Sequence, residues 1–317
     1  MRNRIRRAIL CGLVLLGFGG AEGQVGTTSV YEFLRNDVSA RAAAMAGSFV
    51  SITNDPNVLF YNVAGLGTLD TPRGSVGFFK HLLDINAGYI SYGQSFNDIG
   101  YFGGGILYTN YGSFTRTDEL GNNIGSFNAS DIAVAVGYSN ILEENLYYGA
   151  SLKFIYSSIA GYRSTGLAGD LGLLYVMPEN RISLGISVRN LGRQLSTYLG
   201  TQENLPLDVS IGGSIVPRGI PLLLNVNIHK INEQADNFAD RFRAFGVGGE
   251  FTLSKVFQLR FGYNNEQRKD LQIGTTTGLA GFSVGLGVNV SHYKVDYALS
   301  SLGTIGSLHR ISVGTDF

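Results

Sequence analysis

Few side chains in this sequence are spaced for chemistry. The four histidines, His81, His229, His292 and His309, lie far apart and show no H-x-x-x-H or comparable metal-ligand spacing. Gly281-Phe282-Ser283-Val284-Gly285 fits G-x-S-x-G, but that motif activates its serine only on a strand-to-helix turn. Here it sits inside an unbroken strand-like alternation. Glu143 and Glu144 are adjacent carboxylates, and neighbouring residues of a strand end point apart, so a solvated turn suits them better than shared acid–base work. No G-x-G-x-x-G opens a helix and no phosphate-binding loop occurs. Cys11 is the only cysteine. Asn128-Ala129-Ser130 and Asn289-Val290-Ser291 fit the glycosylation sequon, which carries no chemistry of its own. No catalytic set, metal site or cofactor is expected.

The elements that would have to carry any site are strands. Near the end of the chain Phe282, Val284, Leu286, Val288 and Val290 alternate with Ser283, Gly285, Gly287 and Asn289; Ile311, Val313, Thr315 and Phe317 alternate with Arg310, Ser312, Gly314 and Asp316. The same beat runs through Ile182, Leu184, Ile186 and Val188, and through Leu222, Leu224, Val226 and Ile228. Period-2 alternation makes one face apolar and the other polar. The spacing predicts strands at 73–81, 85–96, 99–110, 129–139, 145–157, 164–176, 181–191, 205–216, 220–231, 242–253, 256–266, 278–290, 292–300 and 306–317. Lys153, Arg189, Asp208, Arg260 and Arg310 all fall opposite the apolar set. A charge at the bilayer midplane on the lipid face would cost about 2–4 kcal/mol, so their phase points to a wet interior. Arg189, Asp208, Arg260 and Arg310 are the candidate lumen-facing residues.

Short connections are expected at 97–98, 140–144, 177–180, 217–219, 253–255 and 291, and long ones at 111–128, 158–163, 192–204, 232–241, 267–277 and 301–305. The two classes alternate, as the tight periplasmic turns and longer external loops of a single-chain outer-membrane barrel do. The fold class is therefore all-β: an antiparallel transmembrane β-barrel of about 14 strands, with both termini in the periplasm. Composition agrees. Glycine supplies 44 of 317 residues, about twice its usual share, with 17 Tyr and 19 Phe; crowded lumen positions and aromatic belts use such residues. Charge is low and balanced, 24 basic against 24 acidic, so no basic field would draw nucleic acid. No stretch has the ~18 apolar residues of a membrane helix.

Two segments precede the barrel of 73–317. Arg2, Arg4, Arg6 and Arg7, the apolar run from Ala8, and Ala21-Glu22-Gly23 read as a secretory signal over 1–23, cleaved before Gln24. Cys11 lies within its apolar region behind Leu10 and does not fit a lipoprotein site. Residues 24–72 are predicted to hold a short helix at Ser39-Ala40-Arg41-Ala42-Ala43-Ala44, with Ser39 as N-cap and Gly47 as stop, then a turn at Asn54-Asp55-Pro56-Asn57. This segment could hang in the periplasm or fold into the lumen; its alanines and modest charge favour a plug, with Arg41, Met45, Asn62 and Leu66 as its candidate contacts. In the longest expected loop, Phe114, Arg116, Asp118 and Glu119 are the candidate partner-binding residues, because exposed loops carry recognition.

The run Ser39 to Leu66, with Arg41-Ala42-Ala43-Ala44-Met45-Ala46-Gly47 and Asn62-Val63-Ala64-Gly65-Leu66, resembles the N-terminal signature of FadL-like barrels, as does Val295-Asp296-Tyr297-Ala298 through Leu308-His309-Arg310-Ile311-Ser312 to Phe317. Val30-Tyr31-Glu32-Phe33-Leu34 followed by Gly47-Ser48-Phe49-Val50-Ser51 is similar to the PorQ family of the type IX secretion system, related to PorV. One departure is Val63-Ala64, where the pattern has Asn-Pro-Ala. The resemblance implies a non-enzymatic outer-membrane component of the attachment complex, holding a PorZ-like surface protein near PorU- and PorV-like components; lipopolysaccharide is a further candidate partner. The competing expectations are a FadL-like transporter of hydrophobic compounds, a PorV-like cargo shuttle and a soluble secreted β-protein. The polar lumen set weighs against a greasy channel.

Overall fold

The computed structural model describes residues 29–82, 84–233, 241–271 and 278–317; the expected signal over 1–23 lies outside them. Fourteen strands close into one barrel: β1 (Arg73–Lys80), β2 (Asn86–Phe96), β3 (Gly100–Thr117), β4 (Asn123–Glu143), β5 (Leu146–Ile159), β6 (Tyr162–Met177) and β7 (Ile182–Ser196). The circuit continues through β8 (Asp208–Ile215), β9 (Leu222–Ile228), β10 (Phe245–Thr252), β11 (Phe257–Asn264), β12 (Phe282–Val290), β13 (Tyr293–Ser301) and β14 (Ser307–Asp316). Each strand pairs antiparallel with its neighbours in sequence, and β14 pairs with β1 from Arg73↔Asp316 to Lys80↔His309. Closure leaves no sheet edge along the wall, the condition for placing β-structure in hydrocarbon.

The alternation sorts residues onto two faces. On β12, Val284 is 53% exposed while its neighbour Ser283 is 5% exposed. Val76, Val136, Leu152, Leu171, Ile186 and Leu286 stand on the outside with it. An outer wall of Val, Ile, Leu and Phe suits contact with lipid tails, and the fold is that of an outer-membrane barrel. No described helix is long and apolar enough to cross a membrane, which bears on helical spans alone. At the seam, the Phe317 N–H donates to Pro72 O at 2.9 Å and the Phe317 ring meets Tyr92 edge-on at 6.0 Å.

Two expected loops are corrected. Residues 111–128 form mostly strand: β3 and β4 run 18 and 21 residues, where about 9–11 suffice to cross a bilayer. Pairing of β3 with β2 stops at Asn110 and pairing of β4 with β5 stops at Ala129. Beyond them β3 and β4 pair only with each other, as a two-stranded ribbon turning at 118–122. Likewise 158–163 is no long loop. β5 and β6 join through Ala160 and Gly161, with φ of 52° and 89°, the doubly left-handed pair of a tight hairpin.

Candidate functional site

Among the described residues, the sizeable body of side chains away from the wall is the segment before β1. It is built of short pieces, each started by a side-chain cap. Ser39 Oγ accepts the Ala42 N–H at 3.1 Å and opens α1 (Ala40–Ala44). Asp55 accepts the Asn57 N–H at 2.9 Å before a 3-10 turn at Pro56–Phe60. Asn62 accepts the Ala64 N–H at 3.2 Å before another at Val63–Thr68. The Asn62 amide also donates to Val50 O at 2.8 Å and to Leu173 O on β6 at 3.0 Å. Where the FadL-like pattern has a proline, this side chain fixes the backbone instead.

The segment lies inside the barrel. Ala42, Ala43, Ala44, Met45, Phe49 and Leu66 are wholly buried, and α1 packs on β11 to β14 while Val63–Thr68 packs on β3 to β6. Small residues on both sides let backbone meet backbone. A Cβ placed on Gly262 of β11 would stand 2.5 Å from the Ala46 nitrogen, and one on Gly149 of β5 would stand 2.7 Å from the Ala64 nitrogen. Glycine is therefore required there by space. Serine hydroxyls of the wall complete the join: Ser183 donates to Ser51 O at 2.7 Å, Ser187 to Tyr61 O at 2.6 Å and Ser139 to Ala64 O at 3.0 Å.

One chain of ion pairs crosses from segment to wall. Arg41 of α1 grips Glu250 of β10 with two parallel bonds of 2.8 Å and Asp55 with a third of 3.0 Å, and lies 5.7 Å over the Phe49 ring. Glu250 also accepts from Arg260 Nε at 2.6 Å, and Arg260 Nη1 donates to Asp296 of β13 at 2.7 Å. Arg260 is fully buried. The order is thus Asp55–Arg41–Glu250–Arg260–Asp296, with Lys294 two residues from Asp296 on the same face of β13. Each carboxylate–guanidinium contact is charge-assisted and shielded from water, the setting in which such bonds are strongest and in which losing one member strands the other.

The remaining candidate lumen residues stand apart from this chain. Arg189 and Asp208 are directly opposed on β7 and β8 and form an ion pair; Arg189 Nη1 reaches Phe60 O at 3.2 Å and the guanidinium lies 5.9 Å from the Tyr61 ring centre. Arg310 sits 5.3 Å over the Phe79 ring and donates to Ser300 at 3.3 Å. Lys153 meets Asp170 at 2.8 Å and Asn190 at 2.9 Å. Sequence reasoning singled out neither Glu250, Asp296, Asp170 nor Asp55. The first three sit at inward phase positions like Arg260, so the same alternation marks them; Asp55 was read only as part of a turn.

Phe114 and Arg116 do not lie in a loop; they are on the exposed ribbon of β3. The Phe114 ring stacks on Phe127 of β4 at 5.3 Å and the Arg116 guanidinium lies 5.9 Å from the Phe127 ring centre. Asp118 and Glu119 are at its tip. Asp118 accepts from Asn122 Nδ2 at 2.9 Å, Asn122 N at 2.8 Å and Leu120 N at 2.9 Å, and the Asn122 side chain leads the bonds that hold its carboxyl below the usual range. These four residues are not brought near Arg41 or Glu250. Ser283 faces inward on β12 and bonds Ser300 at 3.1 Å, far from any nucleophile elbow. Among the described residues no group of three or more His, Cys, Asp and Glu side chains is placed to hold a metal ion.

No protein-family model matches the chain, and no curated protein matches it by sequence. Solved structures match its fold. The Ralstonia pickettii toluene transporter TbuX aligns at TM-score 0.61 and 15% identity over 88% of this chain and 98% of that one. The Pseudomonas putida toluene transporter TodX aligns at TM-score 0.58 and 16% identity over the same shares. A Pseudomonas aeruginosa FadL homologue aligns at TM-score 0.58 and 12% identity, again over 88% and 98%. The fold is FadL-like; at these identities the likeness is one of fold alone.

Proposed function

We propose that the protein is a non-enzymatic outer-membrane barrel whose lumen is plugged by residues 30–69, and that it acts as an anchor for a surface partner. The observation that carries this reading is the Asp55–Arg41–Glu250–Arg260–Asp296 chain, which fastens the plug to the wall. With the lumen occupied, the β3–β4 ribbon is the feature offered to the outside, bearing Phe114, Arg116, Asp118 and Glu119. The resemblance to the PorQ family supplies the partner class: a PorZ-like surface protein, beside PorU- and PorV-like components of a type IX attachment complex. Purification in mild detergent tests it. Co-elution of such proteins with the native chain, lost when residues 113–127 are replaced by a tight turn, is the expected result; unchanged co-elution from the shortened barrel would remove the ribbon from the interface.

A second reading, transport of hydrophobic compounds, is favoured by the fold shared with the toluene transporters TbuX and TodX. It requires the plug to yield a path. Toluene uptake by cells bearing the barrel, set against cells lacking it, decides between the two: uptake that survives loss of the ribbon supports transport, and no uptake leaves the anchor.

A further inference from the structure

Above the wall the β3–β4 ribbon has two bare edges, and one bond shows which main-chain groups they present. The Ala160 N–H donates to Asn128 O at 3.1 Å, so the main chain of Asn128 faces β5. Ser113 lies directly across the ribbon from Asn128. The alternation of an antiparallel pair therefore turns the N–H and C=O of Ser113, and with them those of Thr115 and Thr117, away from β4. The next residue agrees: the Asp118 N–H points the other way, to Asn122 O at 3.0 Å. Residues Ser113 to Thr117 are all exposed. Among the described residues no group bonds the outward N–H or C=O of Ser113, Thr115 or Thr117. The β4 edge offers less, because Asn128 O is taken and the register slips beside Gly125.

The β3 edge is also unguarded. Exposed edges are commonly blunted by lysine or proline; Ser113-Phe114-Thr115-Arg116-Thr117 contains neither, and its threonines and phenylalanine suit a strand. Asp84 bounds the edge below, since a Cβ placed on Gly112 would stand 3.0 Å from the Asp84 Cβ. Outward main-chain groups at strand spacing fit one kind of occupant, a second extended backbone. The side chains choose which one. Phe114 and Arg116 share a face with Phe127, and the Arg116 guanidinium, 5.9 Å from the Phe127 ring centre, has no carboxylate partner among the described residues. The opposite face is a row of hydroxyls from Ser113, Thr115 and Thr117.

We propose that this edge takes up an extended segment of a protein partner as a third, antiparallel strand of the ribbon. The segment carries an acidic side chain beside Arg116 and, two residues later, an aromatic one beside Phe114, where cross-strand pairs of opposite charge and of rings stabilise a sheet. The inference rests on the anchoring reading for its partner and adds to it the mode of docking and the pattern recognised.

Hydrogen exchange of the full barrel in mild detergent tests it, with the synthetic peptide acetyl-Thr-Glu-Val-Tyr-Thr-amide as probe. At saturating peptide, exchange at Ser113, Thr115 and Thr117 should slow about tenfold, the scale of one hydrogen bond, while Ser126 on the other edge is unchanged. The same peptide N-methylated on its valine keeps every side chain but loses its central N–H, and should protect nothing. The unmodified peptide should likewise fail on T115P, which removes an outward N–H and no bond to β4. Protection by the methylated peptide, or undiminished protection on T115P, overturns strand addition. Equal protection by a peptide with lysine in place of glutamate overturns the charge pattern. Protection that is present without peptide and fades on dilution assigns the edge to a second copy and also overturns the proposal. Should T115P fail to fold, the two peptides on wild type still decide. The anchoring reading fails separately. Partner co-elution kept by T115P but lost on replacing 113–127 leaves the ribbon as anchor and removes strand addition, whereas no co-elution from wild type removes the anchor while the peptides still decide the edge.

Discussion

Around Glu250 and along the β3–β4 ribbon, the same polar residue types are put to opposite use. Near Glu250 the paired charged groups are largely withdrawn from water and shared between elements: Arg41 arrives from α1, Arg260 from β11 and Asp296 from β13. On the ribbon, Arg116, Asp118 and Glu119 bond within their own hairpin or face water. Burial converts a charge into a fastener, because an unpaired ion inside has no water to fall back on. Exposure leaves the same charge free for an incoming surface, since an exposed pair contributes about 0–1 kcal/mol. One region holds the molecule together and the other is spare.

The contrast can be broken most forcefully at Glu250. Glu250→Ala takes the shared carboxylate from two guanidiniums, leaving Arg41 with Asp55 alone and Arg260 with Asp296 alone, and is expected to cost about 3–5 kcal/mol, read as a lowered midpoint in denaturant unfolding of the purified barrel. If the plug alone is released, the variant should also conduct ions in planar bilayers where wild type does not. A normal midpoint together with silent bilayers would show that the ion-pair chain fastens nothing. Asn62→Ala comes next. It removes one cap and two amide donations, for an expected loss of about 1–3 kcal/mol, and protease cleavage between Val50 and Leu66 should quicken; cleavage at the wild-type rate would mean the packing of Leu66 suffices.

On the other side of the comparison, Phe114→Ala removes one ring of an exposed stack, expected to be worth about 0.5–1.5 kcal/mol locally. Global unfolding should stay put while partner co-elution falls; a shifted global midpoint would make the ribbon part of the core. The smallest effect is a pH dependence. Asp118 is held below the ordinary carboxylate range by Asn122, so its contribution to the tip is complete above that range and lost as pH falls through the lowered value. Amide exchange at 118–122 should therefore rise as pH is taken below the ordinary carboxylate range in wild type and lose that response in Asp118→Asn. An identical pH response in both would assign it to another group.

The wall was legible in the sequence because each strand has one face in hydrocarbon and one in the lumen, and that asymmetry writes a period of two. Where the asymmetry ends, so does the signal. Residues Gly112 to Asn128 have water on both faces, no apolar set is required, and strand reads as loop. Ser158 to Arg163 was misjudged likewise: Ser and Arg at strand ends look like loop residues until register shows them paired. The ion-pair chain lay between these cases. Inward phase identified Arg260, yet its partner depends on register. The tight turn after β10 places Glu250 directly across from Arg260, whereas the short connection expected at 253–255 would have set it across from Gln258. Arg41–Glu250 was beyond reach, since it joins residues 209 apart in the chain through a packing that no local pattern encodes.

The seam between β1 and β14 has a further consequence for how the molecule comes into being. Its two strands are the first and last of the circuit, so the wall remains an open ribbon until the chain is nearly all present, and Arg73 meets Asp316 only then. The filler precedes the first of these strands by a few residues and is too well interlocked to be threaded through a finished ring. Assembly must accordingly wrap the sheet around its contents, as a stave-built cask is raised about something already standing inside.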